Sequence, residues 1–463
     1  MKRSRLPLLA VLAVLAATPP AIAGPATDWP AYLNNARHSS KSASTAITPA
    51  NAGTLTKAWS FTSPGPTMTG QPGKAFVASP IVSGGRVFIG SNTGVFYALQ
   101  QSTGAVAWSR FLGFSPRHTC NARGIASTAT VAVDPVTERP TVYVSSGDGY
   151  LFALDAATGG VVWRSEIHAQ SPGVNDYFNW SSPTVANGSV YIGVSAQCDH
   201  PLVRAGVKRF DQATGDPLTD YFTVPEGTVG GSVWSSVAAT PNAVFATTGN
   251  ASAGISEDAY SIVKLHPTTL ARTAKYTVPG ADRVPDSDFG ASPVLFSSGG
   301  VQLVGACNKG GYFYAVRASD MSLRWKFRVA QGSSGGSTAC LAAGVWDGSR
   351  LFLAGPITKI DGVDHRGSLR RIDPATGKPI WERGLPGVVI GTPSINGSGV
   401  IAAPIFEFDA SLSGTYLLDA ATGEIVRFLP GGTQFAQPTF AGRYLFTAAQ
   451  AGGVVTAWKL PPA

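Results

Sequence analysis

Between Gly230 and Lys309 the chain sets a tryptophan, an amide, several carboxylates and a lysine into four short, mostly Gly-containing segments. These are GGSVWSS (Gly230–Ser236), ATTGN (Ala246–Asn250), DSDFGASPVLF (Asp286–Phe296) and NKGGYFYA (Asn308–Ala315). Together the residue types describe one kind of chemistry. An indole offers a flat π-face to a planar ligand. An Asn amide and Asp carboxylates are hard oxygen donors for a cation such as calcium. A carboxylate can accept a hydroxyl proton, and a lysine can stabilise negative charge that develops nearby. Each residue also has an ordinary reading by itself: a blade-packing Trp234, a turn Asn250, a solvated acidic loop at Asp282, Asp286 and Asp288, and a turn lysine at Lys309. The proposition that matters is that they converge.

Other chemistries lack their motifs. There is no C-x-x-C-H for a c-type haem and no zinc-type Cys/His spacing. No nucleophile motif of the G-x-S-x-G kind occurs, and GSSGG (Gly332–Gly336) opens no helix that would cradle a phosphate. The six histidines (His38, His118, His168, His200, His266 and His365) form no ligand pair and are expected in surface or loop positions. No run of five or more Lys/Arg marks a nucleic-acid footprint, so no nucleic-acid partner is expected.

The elements that must position these residues are short strands. Gly and Pro are abundant, at 54 and 33 residues, and punctuate β-branched and aromatic runs, which reads as all-β. A unit recurs: S/A-P-x-V, a strand such as VFIG, a turn, a YALD-like strand, then A-x-T-G-x-x-x-W. Clear copies begin at Ser79-Pro80, Ser182-Pro183, Ser292-Pro293 and Thr392-Pro393, and weaker ones near Ser127, Ser235, Ala339 and Gln437-Pro438. Eight starts roughly 45–56 residues apart predict an eight-bladed β-propeller of four-stranded antiparallel blades. The Trp after each Thr-Gly turn is expected to fill the space between blades. Leu55–Phe61 is expected to pair with Val454–Leu460 and close the ring, which removes sheet edges.

The N-terminus reads as a secretory signal over residues 1–23, with Lys2, Arg3 and Arg5, an apolar core Leu6–Ala17 and the small-residue site Ala21-Ile22-Ala23. That core is too short to span a bilayer, and no Cys near the cleavage site could take a lipid, so no membrane anchor is expected. Residues 24–463 then form one propeller domain, periplasmic or secreted. The formal charge of +8 falls to about +5, because three of the 35 Lys and Arg lie in the leader against 27 Asp and Glu. That balance allows an acidic electron-accepting partner.

The four segments, the W-x-x-Y-x-x-N of Trp29–Asn35 and ITPANAGTLTKAWSF (Ile47–Phe61) resemble the quinoprotein alcohol dehydrogenases, the propellers that use pyrroloquinoline quinone (PQQ). GGSVWSS followed by TTGN and DFGASP is most similar to the polyvinyl-alcohol dehydrogenase branch. The resemblance implies a PQQ and Ca²⁺ enzyme that oxidises a secondary or polymeric alcohol and hands electrons to a separate acceptor, a cytochrome c or a quinone. It further implies Asp288 as catalytic base, Trp234 as the floor under the quinone, and Lys309 against the quinone oxygens. Arg123 would pair with a cofactor carboxylate, and Ser181, Ser182 and Ser195 would donate hydroxyls. Asn250, Asp288 and an acidic residue in Ser195–Asp199 would ligate calcium; strict spacing lands on Cys198, and a one-residue shift brings in Asp199.

Two departures stand out. Many relatives carry adjacent cysteines over the quinone, whereas here Thr119 precedes Cys120; and the glutamate expected before the first Ser-Pro is Val77. Exported chains use cysteines in disulfides. The expected pairs are Cys120–Cys198 and Cys307–Cys340, each between neighbouring blades. The competing expectation is a non-catalytic propeller of the same fold, a binding or assembly scaffold.

Overall fold

The computed structural model describes residues 27–174, 176–252, 254 and 257–462; the expected leader lies outside the described residues. Eight antiparallel sheets follow one another along the chain. Blades 1 to 8 span residues 81–111, 130–166, 177–222, 238–277, 294–328, 345–385, 394–430 and 439–459. Blade 8 is completed by the N-terminal strand Thr56–Thr62, which pairs antiparallel with Val454–Lys459. The ring therefore closes as the repeat pattern predicts. Blade 3 departs from four strands: Tyr177–Phe178 adds a fifth, pairing with Ser195 and Ala196. Among the described residues no helix is long and apolar enough to cross a membrane.

The repeated Thr-Gly-x-x-x-Trp explains how blades adhere. Each turn glycine adopts positive φ, and its α-carbon faces the indole of the preceding blade: Gly104 on Trp59, Gly159 on Trp108, Gly215 on Trp163, Gly377 on Trp325 and Gly423 on Trp381. A Cβ at these glycines would stand 2.5–2.7 Å from the ring, so only glycine fits. The same indoles donate from Nε1 to a carbonyl of the neighbouring turn, as Trp59 to Gln101 (3.0 Å) and Trp325 to Pro374 (3.0 Å). Sequence, turn and packing interlock at one contact.

Near the axis, a ring of hydroxyls links successive blades. The backbone N–H of Ser79 donates to Thr128 (2.8 Å), Thr128 to Ser182 (3.0 Å), Ser182 to Ser236 (2.8 Å) and Ser236 to Ser292 (2.9 Å). Ala343 donates to Thr392 (2.9 Å), and Gln437 returns the chain of bonds to Ser79 (2.8 Å). The sixth repeat is thus anchored at Ala343, four residues beyond its apparent start, and brings no hydroxyl; the eighth brings the amide of Gln437 instead.

Residues 29–44 run beneath this ring. Trp29 exchanges two backbone bonds with Val82, and Pro30, Ala36, Arg37, Ser39 and Ser40 accept from Val131, Ala239, Leu295, Trp346 and Ile395. Ser44 reaches Gly442 of the last blade. The segment ties the first strands of seven blades together and lifts Tyr32 into the central cavity, against the hydroxyls of Ser292 and Thr392 on either side of Ala343. Two histidines lie in loops, within the expectation of surface or loop positions, but are buried there. His38, in this segment, is buried with Nδ1 2.9 Å from the Pro293 carbonyl, and His168 is buried with Nε2 3.1 Å from Asn179 Oδ1. Packing against Pro293 and Asn179 is what buries these loop residues.

Candidate active site

A cavity of about 220 Å³ opens on the axis, walled by Trp180, Trp234, Lys309, Leu341, Ile390 and Phe435 above the hydroxyl ring. Val77, where a glutamate was expected, also faces it.

Four loops carry the polar side of the site. Trp234 ends the approach to blade 4, held by the Val233 N–H on Val194 (3.0 Å). Asn250 follows the strand Ala243–Thr247; its carbonyl accepts from Gly231 (2.6 Å). Asp288 lies between blades 4 and 5, and Lys309 follows the strand Val301–Cys307. The last two loops are cross-locked: Ser287 Oγ donates to Asn308 Oδ1 (2.9 Å), Asn308 Nδ2 donates to the Ser287 carbonyl (2.8 Å), and Lys309 N–H donates to the Asp288 carbonyl (2.9 Å). The Cys307–Cys340 disulfide braces the same corner against the approach to blade 6.

The side chains meet. Lys309 Nζ lies 2.9 Å from Asp288 Oδ2 and 2.8 Å from Asp286 Oδ2, and 5.4 Å from the centre of the Trp234 ring system. Asp288 Oδ1 accepts the Asn250 N–H at 2.5 Å. The carboxylates of Asp199, Asp286 and Asp288 lie with ligand atoms within 4.8 Å of one another. Asp199 arrives from blade 3, where the Cys120–Cys198 disulfide fixes the preceding residue and Asp199 itself takes φ +60°. Both disulfides match the expected pairing, and the first explains why Cys198 is not the acidic donor: its sulfur is committed to Cys120.

Electrostatics follow from this crowding. Burial, with the Asp286 and Asp199 carboxylates adding to it against the opposing Lys309, pushes the Asp288 carboxyl up to about 7. Burial and Asp286 likewise raise Asp199. Burial alone would lower Lys309, but its two carboxylate partners more than offset this and raise it. Carboxylates crowded in this way, with Asp288 buried and Asp199 and Asp286 partly so, are stabilised by a cation. Asn250 Oδ1 and Asp286 Oδ1 are buried with no hydrogen-bond donor among the described residues, and the Trp234 indole N–H has no acceptor there. Buried polar atoms in this state call for a ligand. A hard cation fits the oxygens, and a planar acceptor-bearing ligand fits the indole.

The remaining sequence candidates divide. Arg123 stands over the Trp180 ring at 4.7 Å, and burial lowers its pKa with no carboxylate contributing. Ser182 reaches the cavity wall, but its hydroxyl accepts the Thr128 N–H in the axial ring. Ser181 accepts from Gly193 (3.0 Å) and Ser195 donates to Phe178 (2.8 Å), so both hydroxyls are engaged inside blade 3. Sequence reasoning named Asp286 but gave it no role beside Asp288, and it passed over Trp180 and Tyr32. The D-x-D spacing was a signal for the first, and the aromatic of W-x-x-Y for the last; nothing local marks Trp180.

The sequence profile described as PQQ, the glucose/ethanol/alcohol dehydrogenase β-propeller domain, matches residues 29–292. The chain belongs to this PQQ dehydrogenase propeller family. A second profile, for the outer membrane protein assembly factor BamB, matches residues 309–458. Polyvinylalcohol dehydrogenase of Pseudomonas sp is 25% identical over 399 residues, covering 76% of this chain and 58% of that protein. The dehydrogenase subunit of the quinone alcohol dehydrogenase of Gluconobacter oxydans is 29% identical over 201 residues, 43% of this chain and 25% of that protein. The chain therefore spans less than two thirds of the length of these relatives. Among solved structures, the quinohemoprotein alcohol dehydrogenase of Comamonas testosteroni superposes with a TM-score of 0.72 at 20% identity, over 94% of this chain and 82% of that one. BamB of Moraxella catarrhalis gives 0.56 at 15% identity, over 88% and 98%.

Proposed function

We propose that this PQQ-family propeller is an exported alcohol dehydrogenase, periplasmic or secreted, acting on a secondary or polymeric alcohol. The observation that carries the reading is the buried meeting of Asp288, Lys309 and Trp234 beside three clustered carboxylates. PQQ held on Trp234, with calcium on Asp199, Asn250 and Asp288, would supply the two-electron acceptor and the Lewis acid.

The chain's own residues do the rest. Asp288, as carboxylate, takes the substrate hydroxyl proton while the carbinol C–H hydrogen leaves with two electrons, giving a carbonyl. Lys309 sets a positive charge where the acceptor gains negative charge. Arg123, with no carboxylate partner of its own, is available to a ligand carboxylate as a planar fork. Asp286 holds Lys309 from the far side and adds a fourth oxygen-bearing side chain to the calcium set. The cavity walls keep water from the reacting carbon. Electrons then leave to a separate cytochrome c or quinone.

The polymeric preference is supported by the Pseudomonas polyvinylalcohol dehydrogenase match. The scaffold reading draws on the assembly-factor match over residues 309–458, but an assembly scaffold gains nothing from a buried Asp288–Lys309 pair with two further carboxylates beside it. The test is an absorbance titration of the purified protein with PQQ, with and without calcium, followed by dye reduction with secondary alcohols. Calcium-dependent binding and turnover are expected; no binding at micromolar PQQ would sink the reading.

A further inference from the structure

An apolar strip leads from the cavity to the surface along blades 6 and 7. Trp234, Leu341, Ile390 and Phe435 line the cavity, and the same cluster continues through Val388 to Phe406. The Phe406 ring meets Phe408 edge-on at 5.6 Å, and Phe408 is 80% exposed, more than any other large apolar side chain among the described residues. A single exposed Phe is ordinary; its mounting is not. Glu407, between the two rings, is buried, and its carboxylate is gripped by Arg366 through two N–H groups (2.7 and 2.9 Å) and by the Val388 N–H (3.0 Å). Its carbonyl accepts the hydroxyls of both Ser413 and Thr433, and Phe406 N–H donates to the Val388 carbonyl (2.8 Å). Burying a carboxylate costs free energy unless it is fully paired. Here the pairing fixes the backbone of a corner that presents an exposed aromatic at the outer end of the cavity's apolar wall.

We infer that the Phe406–Phe408 corner is the outer part of the substrate site and determines specificity by gripping the hydrocarbon chain of an alcohol whose hydroxyl reaches Asp288. The inference rests on the dehydrogenase reading for the inner end of the site. Continuity of the strip with the cavity argues for the substrate chain as occupant. An aromatic ring offers such a chain a broad apolar face, and each methylene it covers adds to affinity.

The test compares 2-alkanols from propan-2-ol to decan-2-ol on the native protein loaded with PQQ and calcium, and on Phe408→Ala and Phe408→Leu. Phe408 is exposed, so neither substitution threatens folding. In the native protein kcat/KM should rise by about two- to fourfold per methylene. That slope should flatten in Phe408→Ala and return in Phe408→Leu. Calorimetric affinity for octan-2-ol should fall by about tenfold in the Ala variant, for a few methylenes uncovered. No slope in the native protein, or an equal slope in Phe408→Ala, overturns the inference while leaving the dehydrogenase intact. An equal slope with slowed reduction of a protein acceptor, but not of a small dye, overturns it too, in favour of a protein partner at the corner. If no alcohol is oxidised yet octan-2-ol binding still depends on Phe408, the grip stands and the dehydrogenase reading fails.

Discussion

Lys309 donates to Asp288 at 2.9 Å from one side of a buried pocket while the backbone of Asn250 donates to the same carboxylate from the other, at 2.5 Å. The pair is therefore fixed at both ends, and Lys309 is shared with Asp286. Removing the ammonium by Lys309→Met leaves buried negative charge uncompensated. The cofactor-free protein should lose about 3–5 kcal/mol of stability, and calcium should restore part of it. Urea unfolding with and without calcium measures both; an unchanged midpoint would show that the cluster does not depend on the lysine.

Asp288→Asn keeps the shape of the side chain and removes the base. Turnover should fall by about 10²–10⁴-fold, while PQQ titration continues to saturate. Loss of PQQ binding in step with turnover would instead make Asp288 a seat for the cofactor alone.

Cation binding should be pH-dependent with a defined sign. Burial, above all, holds the Asp288 carboxyl at about 7, so below that pH a cation must displace a proton. Affinity should then fall by about tenfold per pH unit below 7 and level off above it. Calorimetry in buffers of different ionisation enthalpy counts the proton released, and Asp288→Asn should abolish that release.

Stability should depend on His38 and His168. Burial lowers both to about 4 from an ordinary 6.5. A depressed histidine favours the folded state above the unfolded pKa, and that contribution is lost as pH falls from 6.5 through 4. Each is worth at most about 3 kcal/mol. His38→Asn, which tolerates the φ of +60° at this position, should flatten the pH dependence of unfolding in that window. A parallel curve would exclude His38 as a contributor.

Tyr32 stands where the axial ring has no hydroxyl of its own, between Ser292 and Thr392. Tyr32→Phe should cost about 1 kcal/mol. An added Ala343→Ser should recover part of it, as thermal melting would show. No loss in the single variant would mean the phenol only fills space.

Sequence alone determined the repeat and hence the fold. Eight repeat starts, four of them Ser/Thr-Pro, and the Thr-Gly-x-x-x-Trp ends are local signals, because the blades reuse one turn that needs positive φ and one indole that needs a glycine beneath it. It also determined ring closure, since Thr56–Thr62 is a strand without a blade of its own. The residue types of the candidate site were legible through the family resemblance, carried by the motifs that hold Trp234, Asn250, Asp288 and Lys309. Tertiary structure decided what those residues touch. Asp199 joins Asp286 and Asp288 across three blades only because a disulfide commits Cys198 and the chain turns at Asp199. Ser181 and Ser195 carry suitable hydroxyls, yet strand pairing and the neighbouring loop engage them within blade 3. Tyr32 and the Phe406–Phe408 corner lie hundreds of residues apart in sequence or on unremarkable loops, and their places at the cavity follow from closure of the ring, which no local pattern encodes.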